Sequence, residues 1–332
     1  MMISKRPFGT LADGTVVSAW TLVNGRGLRA EVLDYGVIIR SVIIPDRKGK
    51  PVDVVLGYDT LEDYVSDRSY LGATVGRCAN RIKDASFELN GKTHQLSANF
   101  GPHHLHGGKM GFHKCVWNAE EREQTVVFSR VSADGEEGYP GNLQVRVTVG
   151  WQEDALTIGY EAQTDQDTLV NLTNHSYFNL NGAGSGNIHR HLLQIRAEQY
   201  TSNGADGFPT GEMLPVEGTA MDFRAPKPLG QDIGFFGGYD TNFVLAGHPA
   251  AAVEGNKTGI RMVVDTDRPG MQLYTAPPIL GRRGKDGKRY GHHGAFCLET
   301  QYHPDSIHHP QWPTCILRAG EIFRSFTSYA FE

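Results

Sequence analysis

The feature that most constrains the fold is a succession of short β-branched runs, each ended by turn-forming residues. Runs such as Val16–Val23, Leu28–Val32 and Val37–Ile44 are separated by Gly, Asp, Asn or Pro. Forty glycines and sixteen prolines among 332 residues keep the elements short. Short strands at regular spacing are typical of sandwiches and barrels rather than of alternating βαβ units. The sequence therefore predicts an all-β protein.

Local signals refine this prediction. Asn90-Gly91 lies between two alternating runs, which is the strongest short-range signal for a hairpin. One short helix is expected after Thr60, because Asp63 stands three residues later as in a capping box. Residues 247–258 are expected to form a long turn. No repeat, linker or low-complexity segment divides the chain, so we expect one antiparallel domain over residues 1–332, built of two stacked sheets.

Charge and hydropathy exclude several classes of function. The net charge of −5 provides no basic field for nucleic acid or an anionic membrane. The densest basic run covers residues 282–289. We favour a solvated turn for it and keep a phosphate clamp as the minor alternative. No window approaches the ~20 apolar residues of a membrane span, and the N-terminus has no apolar run of signal-peptide length. The four cysteines include no CxxC pair. We predict a cytoplasmic protein without nucleic-acid or membrane partners.

The segment Asn171–Gly182 combines amides, hydroxyls and one imidazole with four large apolar side chains. Each buried polar group without a partner costs roughly 1–3 kcal/mol, so this mixture is poor for a plain core strand. A polar rim on an apolar floor suits a small polar ligand instead. His175 lies at the centre of the segment and titrates near neutral pH, so it is a candidate for proton transfer. A satisfied core histidine is the alternative interpretation.

A second candidate for proton transfer lies near the C-terminus. In the run from Gly294 to Gln301, Glu299 follows the apolar residues Ala-Phe-Cys-Leu. A carboxyl at the end of a buried strand tends to have a raised pKa, which suits a general base. Taken alone, an exposed glutamate at a strand end is the more common situation.

A cluster of histidines, His103-His104-Leu105-His106, invites a metal hypothesis. In an extended chain His104 and His106 face the same side, and two imidazoles can chelate a metal. A third ligand would be needed, for which Asp240 and Glu299 are candidates. Histidines that only donate and accept hydrogen bonds are the favoured interpretation. Three further patches offer polar side chains for hydroxyl recognition: Asn80-Arg81, Asp240 and Gln272.

Taken together and in this order, the patches resemble the aldose 1-epimerase family, the galactose mutarotases. The resemblance runs from about residue 36 to residue 331, and its most specific parts are listed here in sequence order: Asn80-Arg81-Ile82, Leu105-His106-Gly107-Gly108, Thr173-Asn-His-Ser-Tyr-Phe-Asn-Leu180, Pro209-Thr-Gly-Glu212, Pro269-Gly-Met-Gln-Leu-Tyr-Thr275 and Leu298-Glu-Thr-Gln301. It implies a large antiparallel β-supersandwich with an open sugar cleft. It also implies interconversion of the α and β anomers of free aldohexoses such as galactose and glucose, without cofactor or metal.

The resemblance also implies site residues. The family's general acid falls on His175 and its general base on Glu299. Its substrate-binding positions fall on the following residues: Asn80, Arg81, His106, Ser176, Tyr177, Asp240 and Gln272. The expected partner is a small aldose, and the chain is expected to be a monomer or homodimer.

This sequence departs from the family pattern at three places bordering the expected cleft. Thr241 follows Asp240 where a His is usual, His113 replaces an Asp, and Ala276-Pro277 replaces Gly-Asn. The acid and the base are unaffected, so these departures bear on sugar preference rather than on activity.

Three alternatives to an aldose 1-epimerase stay open at this stage. An epimerase of hexose 6-phosphates would need cations converging on the phosphate, for which residues 282–289 are the candidate. A carbohydrate-binding β-sandwich without catalysis would not need His175 and Glu299 to meet. A metal-dependent β-sandwich enzyme would use the histidine cluster.

Overall fold

A computed structural model describes residues 2–235, 237–275 and 283–332 of the chain. Strands dominate the described residues. In the first half they are β1 Met2–Thr10, β2 Val16–Val23, β3 Arg29–Leu33, β4 Ile38–Pro45, β5 Pro51–Asp53, β6 Thr74–Val75, β7 Arg81–Ile82, β8 Ser86–Leu89, β9 Lys92–Gln95, β10 His104–Leu105, β11 Asn118–Arg122, β12 Thr125–Ser132, β13 Leu143–Gln152 and β14 Ala155–Thr164. In the second half they are β15 Thr168–Leu169, β16 Thr173–Asn174, β17 Leu192–Ile195, β18 Ala197–Asn203, β19 Pro209–Pro215, β20 Lys227–Pro228, β21 Asp240–Leu245, β22 Ala251–Glu254, β23 Arg261–Thr266, β24 Gly270–Thr275, β25 Phe296–Gln301, β26 Ile316–Leu317 and β27 Ile322–Phe331.

Helical structure is confined to short pieces. The α-helix α1 spans Leu61–Ser66, and Thr60 caps it by accepting the amide of Asp63 at 3.3 Å. This is the capping pattern that the sequence predicts. The 3₁₀ turns are Lys83–Ala85, Phe112–Lys114, Glu136–Gly138, Ile233–Phe235, Lys285–Gly287 and Ser306–His308. None of the helices among the described residues has the length and hydropathy needed to cross a membrane.

The strands form three large antiparallel sheets. One has five strands in sequence order, β1-β2-β3-β4-β5. The second has nine, in the order β11-β12-β13-β14-β27-β23-β22-β17-β20, and the third has five, in the order β19-β18-β21-β24-β25. Two-stranded ladders such as β10-β7 and β16-β6 are formed in addition. The predicted all-β fold with few short helices is confirmed, but the strands form three large sheets where two were expected.

One apolar cluster joins the three sheets. It contains Val32 from the first sheet, Val147 and Phe331 from the second, and Phe243 and Leu298 from the third, all buried. Because every inward-facing side chain of a strand alternates with an outward one, each sheet contributes one face to this cluster. The polar site described below is built on the β21-β24-β25 sheet, so its floor rests on this packed core.

Several local predictions can be compared with the observed elements. The hairpin at Asn90-Gly91 is confirmed as the pair β8-β9, and both turn residues have φ in the left-handed region, at 53° and 74°. Residues 247–258 are not one long turn, because the strand β22 lies within them and pairs with β17 and β23. The sequence also predicts a strand over Val52–Gly57, but the observed strand β5 ends at Asp53. The departure at Ala276-Pro277 lies outside the described residues.

Candidate active site

An open cleft of about 370 Å³ lies at one edge of the third sheet. Its lining is polar and aromatic, and consists of Arg68, Ser69, Tyr70, Asn80, Arg81, Phe100, Leu105, His106, His175, Tyr177, Asp240, Gln272, Tyr274 and Glu299. Eight of the nine residues predicted from the sequence are among them. The cleft therefore gathers side chains from segments that are far apart in the chain.

The floor of the cleft is one face of the β21-β24-β25 sheet. Gln272 is the cross-strand partner of Glu299, and Asp240 is the partner of Tyr274. Cross-strand partners point to the same face, as do residues two apart on one strand. Asp240, Gln272, Tyr274 and Glu299 consequently project together into the cleft.

His175 is brought to Glu299 by backbone register. Phe178 and Phe296 form an isolated antiparallel bridge with hydrogen bonds in both directions, at 2.7 and 3.0 Å. His175 stands three residues before Phe178, and Glu299 stands three residues after Phe296. In an antiparallel arrangement, equal offsets on opposite sides of a bridge lie opposite each other. The observed separation between His175 Nε2 and Glu299 Oε1 is 3.6 Å.

Burial governs the electrostatics of this pair. The side chains of His175 and Glu299 are 6% and 3% exposed. Burial lowers the pKa of His175 to about 4, because the charged imidazolium is disfavoured where water is excluded. Burial raises the pKa of Glu299 to about 8, and the negative charge of Asp240 adds to that rise while Arg81 opposes it. Near neutral pH the pair therefore holds one proton, on the carboxyl.

Asn80 and His106 are joined by two hydrogen bonds, one between their backbones and one from a backbone amide to the imidazole. The amide of His106 donates to the carbonyl oxygen of Asn80 at 2.9 Å, and the amide of Asn80 donates to His106 Nδ1 at 3.1 Å. Burial, and next the nearby His175, lower the pKa of His106 well below its ordinary value, so the ring is neutral. A neutral imidazole that accepts at Nδ1 carries its proton on Nε2. His106 is thus fixed as a hydrogen-bond donor at Nε2.

Asp240 is the centre of a hydrogen-bonded group along one side of the cleft. Arg81 Nη2 lies 2.7 Å from Asp240 Oδ2, and Gln272 Nε2 donates to Asp240 Oδ1 at 2.6 Å. The side chain of Asp240 remains 44% exposed. Its carboxylate can therefore accept hydrogen bonds from a ligand while its orientation is held by two protein donors.

Three side chains of the cleft lie close enough together to be considered as metal ligands. Ligand atoms of His106, His175 and Glu299 lie within 4.8 Å of one another. However, the amide of Asn80 occupies Nδ1 of His106, and the other nitrogen carries the proton. A metal needs an unprotonated nitrogen, so this tautomer does not fit a two-histidine, one-carboxylate site. These three residues therefore do not fit a structural or catalytic metal.

The histidine cluster predicted as a metal alternative is separated in the structure. His104 is fully buried and lies within hydrogen-bonding distance of Ser97 O and of the Tyr139 hydroxyl, at 2.8 and 2.7 Å. His103 Nδ1 accepts the amide of Asp84. Both have structural roles, and only His106 of the three lines the cleft. Sequence spacing alone could not reveal this, because Tyr139 and Ser97 come from other segments.

Ser176 differs from the other predicted residues. Its side chain is buried and is absent from the lining of the cleft. Its Oγ has no hydrogen-bond partner within the described part of the chain. Substrate contact by Ser176 stays a prediction.

Some lining residues were not predicted. Tyr274 follows Gln272 by two residues on β24, so strand alternation was a usable signal for it. Tyr70, Arg68 and Phe100 lie on turns whose course no sequence pattern revealed. The basic run at 282–289 contributes no residue to the lining within its described part, 283–289. Lys285 in that run is buried, and its Nζ lies 2.6 Å from Asp53 Oδ2.

Comparison with solved structures identifies the class of protein to which the fold belongs. The fold matches solved structures of galactose mutarotase-like proteins; a crystal structure of an aldose epimerase homologue from C. elegans superimposes with a TM-score of 0.88 at 31% identity, covering 94% of this chain and 98% of that one. With its imidazole and carboxyl facing each other in a polar cleft, the chain has the architecture of a β-supersandwich enzyme that acts on sugars.

Sequence comparison identifies the family within this class. The family model for aldose 1-epimerase matches residues 18–330. Galactose mutarotase from Homo sapiens is 41% identical over 337 residues, which cover 99% of this chain and 98% of the relative. Aldose 1-epimerase from Haemophilus influenzae is 37% identical, with 96% and 97% covered. The chain belongs to the aldose 1-epimerase family, and the resemblance stated from its motifs is confirmed.

Proposed function

We propose that this chain is an aldose 1-epimerase that interconverts the α and β anomers of free aldohexoses such as galactose and glucose. The observation that carries the proposal is the buried pair of His175 and Glu299, 3.6 Å apart at the base of an open polar cleft. Relatives over the full chain bear the names galactose mutarotase and aldose 1-epimerase. The reaction needs no group beyond one acid and one base.

The chemistry of the substrate explains why this pair suits it. To open the ring, the C1 hydroxyl loses a proton and the ring oxygen gains one. Both oxygens are bonded to the same carbon, so the two protein groups must stand a few ångströms apart. Glu299 takes the hydroxyl proton, and His175, as imidazolium, donates its proton to the ring oxygen. Each positioned proton transfer typically contributes about 10²–10⁴-fold to the rate.

The open aldehyde then changes its face. The C1–C2 bond rotates by half a turn, and the C5 hydroxyl attacks the opposite side of the carbonyl carbon. His175 takes back the proton of that hydroxyl as the ring closes, and Glu299 returns its proton to the new C1 hydroxyl. The enzyme ends with the proton inventory with which it began, so no cofactor is consumed.

Sugar binding must also move one proton within the pair. The pKa values of about 8 for Glu299 and about 4 for His175 place the proton on the carboxyl before sugar binds. A bound sugar supplies a hydroxyl donor to Glu299 and a ring-oxygen acceptor to His175, and hydrogen bonds to the charged forms favour them. Binding thereby promotes the imidazolium–carboxylate form in which the reaction begins.

The remaining polar residues are proposed to hold the sugar. His106 donates from Nε2, and Arg81 donates to hydroxyls near the developing charge. Asp240 and Gln272 orient hydroxyl groups and discriminate their configuration, because a site built to pair with a hydroxyl rejects a sugar in which it points elsewhere. Asn80 and Tyr177, which also line the cleft, complete the set.

Wild-type anomer exchange is the direct test. Magnetisation exchange between the α and β anomeric protons, measured by NMR for galactose, glucose, xylose and arabinose, should show catalysis at low enzyme concentration. Glucose 6-phosphate should be a poorer substrate than glucose, because residues 283–289 do not line the cleft. Absence of catalysis with all four free sugars would leave a non-catalytic carbohydrate-binding protein.

We also propose that residues 1–332 form one domain, since the three large sheets share one apolar core. A cytoplasmic location is likewise inferred. The four cysteines Cys78, Cys115, Cys297 and Cys315 are unpaired, as is usual where thiols are kept reduced.

A further inference from the structure

The turn at residues 67–73 borders the cleft and has an unusual backbone. Tyr70 has φ of 55°, in the left-handed region that aromatic residues rarely adopt. The carboxylate of Asp67 maintains the turn, because its Oδ2 accepts the amides of Ser69 and Leu71 at 2.9 and 3.1 Å. A strained residue that its surroundings hold in place commonly marks a functional site.

The same turn is attached to the segment that carries His175. The amide of Gly72 donates to the carbonyl oxygen of His175 at 2.9 Å. The amide of His175 donates to the carbonyl oxygen of Ala73 at 2.8 Å. The Tyr177 hydroxyl donates to the carbonyl oxygen of Ser69 at 2.8 Å. The positions of Tyr70 and His175 are therefore fixed relative to each other by three hydrogen bonds.

The imidazole of His175 has no hydrogen-bond partner on any other residue of the described chain. Its Nδ1 has no partner there, and its Nε2 is 3.6 Å from Glu299, beyond hydrogen-bonding distance. The χ2 torsion of a histidine has a broad energy profile, so an unbonded ring is oriented by packing. Aromatic rings provide that packing: Tyr177 at 4.9 Å, and Tyr70 and Tyr274 at 6.1 Å each between ring centroids.

Tyr70 packs against both histidines of the cleft. Its centroid lies 4.6 Å from that of His106, and it is within 20° of parallel to the ring of His175. Behind it, His113 packs edge-on at 4.5 Å. Burial lowers the pKa of His113 to about 3, so this neighbour supports the ring without adding a charge. The phenol oxygen accepts from Asn99 Nδ2 at 3.4 Å.

We propose that Tyr70 is a positioning residue for anomer exchange, whose ring sets the mutual orientation of His106 and His175. Those two imidazoles stand 5.3 Å apart at 72°, so one can donate to a hydroxyl while the other reaches the ring oxygen of the same sugar. The inference rests on the proposed function and adds to it a residue that acts through its neighbours.

The test compares Tyr70→Leu with Tyr70→Phe in the NMR exchange measurement. Leucine keeps apolar bulk but removes the flat ring, so kcat should fall by about 10–100-fold with KM changed by less than about threefold, since misplaced reacting groups cost turnover. Phenylalanine keeps the ring and should restore most of kcat. A Tyr70→Leu enzyme with near-wild-type kcat, or a Tyr70→Phe enzyme equally impaired, would overturn the proposal.

Two further variants separate positioning from folding. Tyr70→Gly removes the ring at a residue whose positive φ glycine adopts freely, so the turn should persist and kcat should fall as for leucine. Tyr200→Leu is the same substitution at another half-buried tyrosine, which does not line the cleft. It should leave kcat unchanged. An inactive wild-type enzyme would refute the proposed function itself, whereas an active wild type with active Tyr70→Leu and Tyr70→Gly variants would refute only this inference.

Discussion

His175 and Glu299 face each other across 3.6 Å because both are positioned by one backbone bridge, between Phe178 and Phe296. His175 stands three residues before Phe178, and Glu299 stands three residues after Phe296. The histidine belongs to the middle of the chain, and the glutamate belongs to a buried strand near its end. Their meeting depends on register, and a shift of one residue would turn one of the two side chains to the other face. Register thus sets the geometry of proton transfer in this molecule.

The first prediction concerns the pH dependence of the rate. The pair holds one proton between the pKa of His175, lowered to about 4, and that of Glu299, raised to about 8. Below this window both groups are protonated and the base is lost, whereas above it neither is protonated and the acid is lost. The plot of kcat/KM against pH should be bell-shaped. The apparent pKa values of its two limbs describe the coupled pair rather than either residue alone. A flat profile from pH 5 to 9 would contradict it.

The second prediction concerns the pH dependence of stability. The folded-state pKa of Glu299 is raised above its unfolded value, from 4.5 to about 8. The contribution of Glu299 to the free energy of unfolding is therefore complete below the unfolded pKa and is lost as pH rises towards the folded pKa. The free energy of unfolding falls by at most about 1.4 kcal/mol per pH unit. Glu299→Gln removes this loss, so urea unfolding should show the variant gaining stability over the wild type from pH 5 to pH 8. An equal difference at both pH values would count against a buried, protonated carboxyl.

The third prediction concerns the glycine that follows His106. A Cβ on Gly107 would lie 1.7 Å from the carbonyl oxygen of Gly76, and φ of Gly107 is 82°. Gly91 is a matched control, because its φ is 74° but no atom lies within 4 Å of a Cβ there. Gly107→Ala should lower the free energy of unfolding by about 3 kcal/mol more than Gly91→Ala, since backbone must move. Equal costs in urea unfolding would mean that the close approach is unimportant.

The strand pattern and the motifs were sufficient to predict much of this molecule. Alternating residues around Asn90-Gly91 fixed a hairpin, and the cap at Thr60 fixed the start of α1. The strand β22 was missed because its sequence begins Ala-Ala, and alanine is depleted in strands. Pairing on both sides with β17 and β23 overrides that local preference.

In the site, too, some features were predictable from the sequence and others were not. Eight lining residues followed from motifs, because the chemistry of sugar recognition selects particular polar side chains. The position of Tyr70 depends on a left-handed turn held by Asp67, which no spacing of residues indicates. The structural role of His104 depends on the distant Tyr139. Contacts between separate segments are what the sequence could not supply.

The fourth prediction concerns metals. The amide of Asn80 fixes His106 with its proton on Nε2, so the three candidate ligands cannot all offer a lone pair. Exhaustive dialysis against a chelator should therefore leave kcat unchanged, and added Zn²⁺ should not increase it. Activity that disappears on chelation and returns with Zn²⁺ would require a different tautomer of His106 and a different mechanism.

The most direct test of the central claim is NMR exchange between the anomers of galactose with Glu299→Gln, a nearly isosteric change that removes the base. The exposed Glu254→Gln is its matched control. We predict that Glu299→Gln folds and binds sugar but loses about 10²–10⁴-fold in kcat, while Glu254→Gln keeps the wild-type rate. A Glu299→Gln enzyme that exchanges anomers at the wild-type rate would contradict the account.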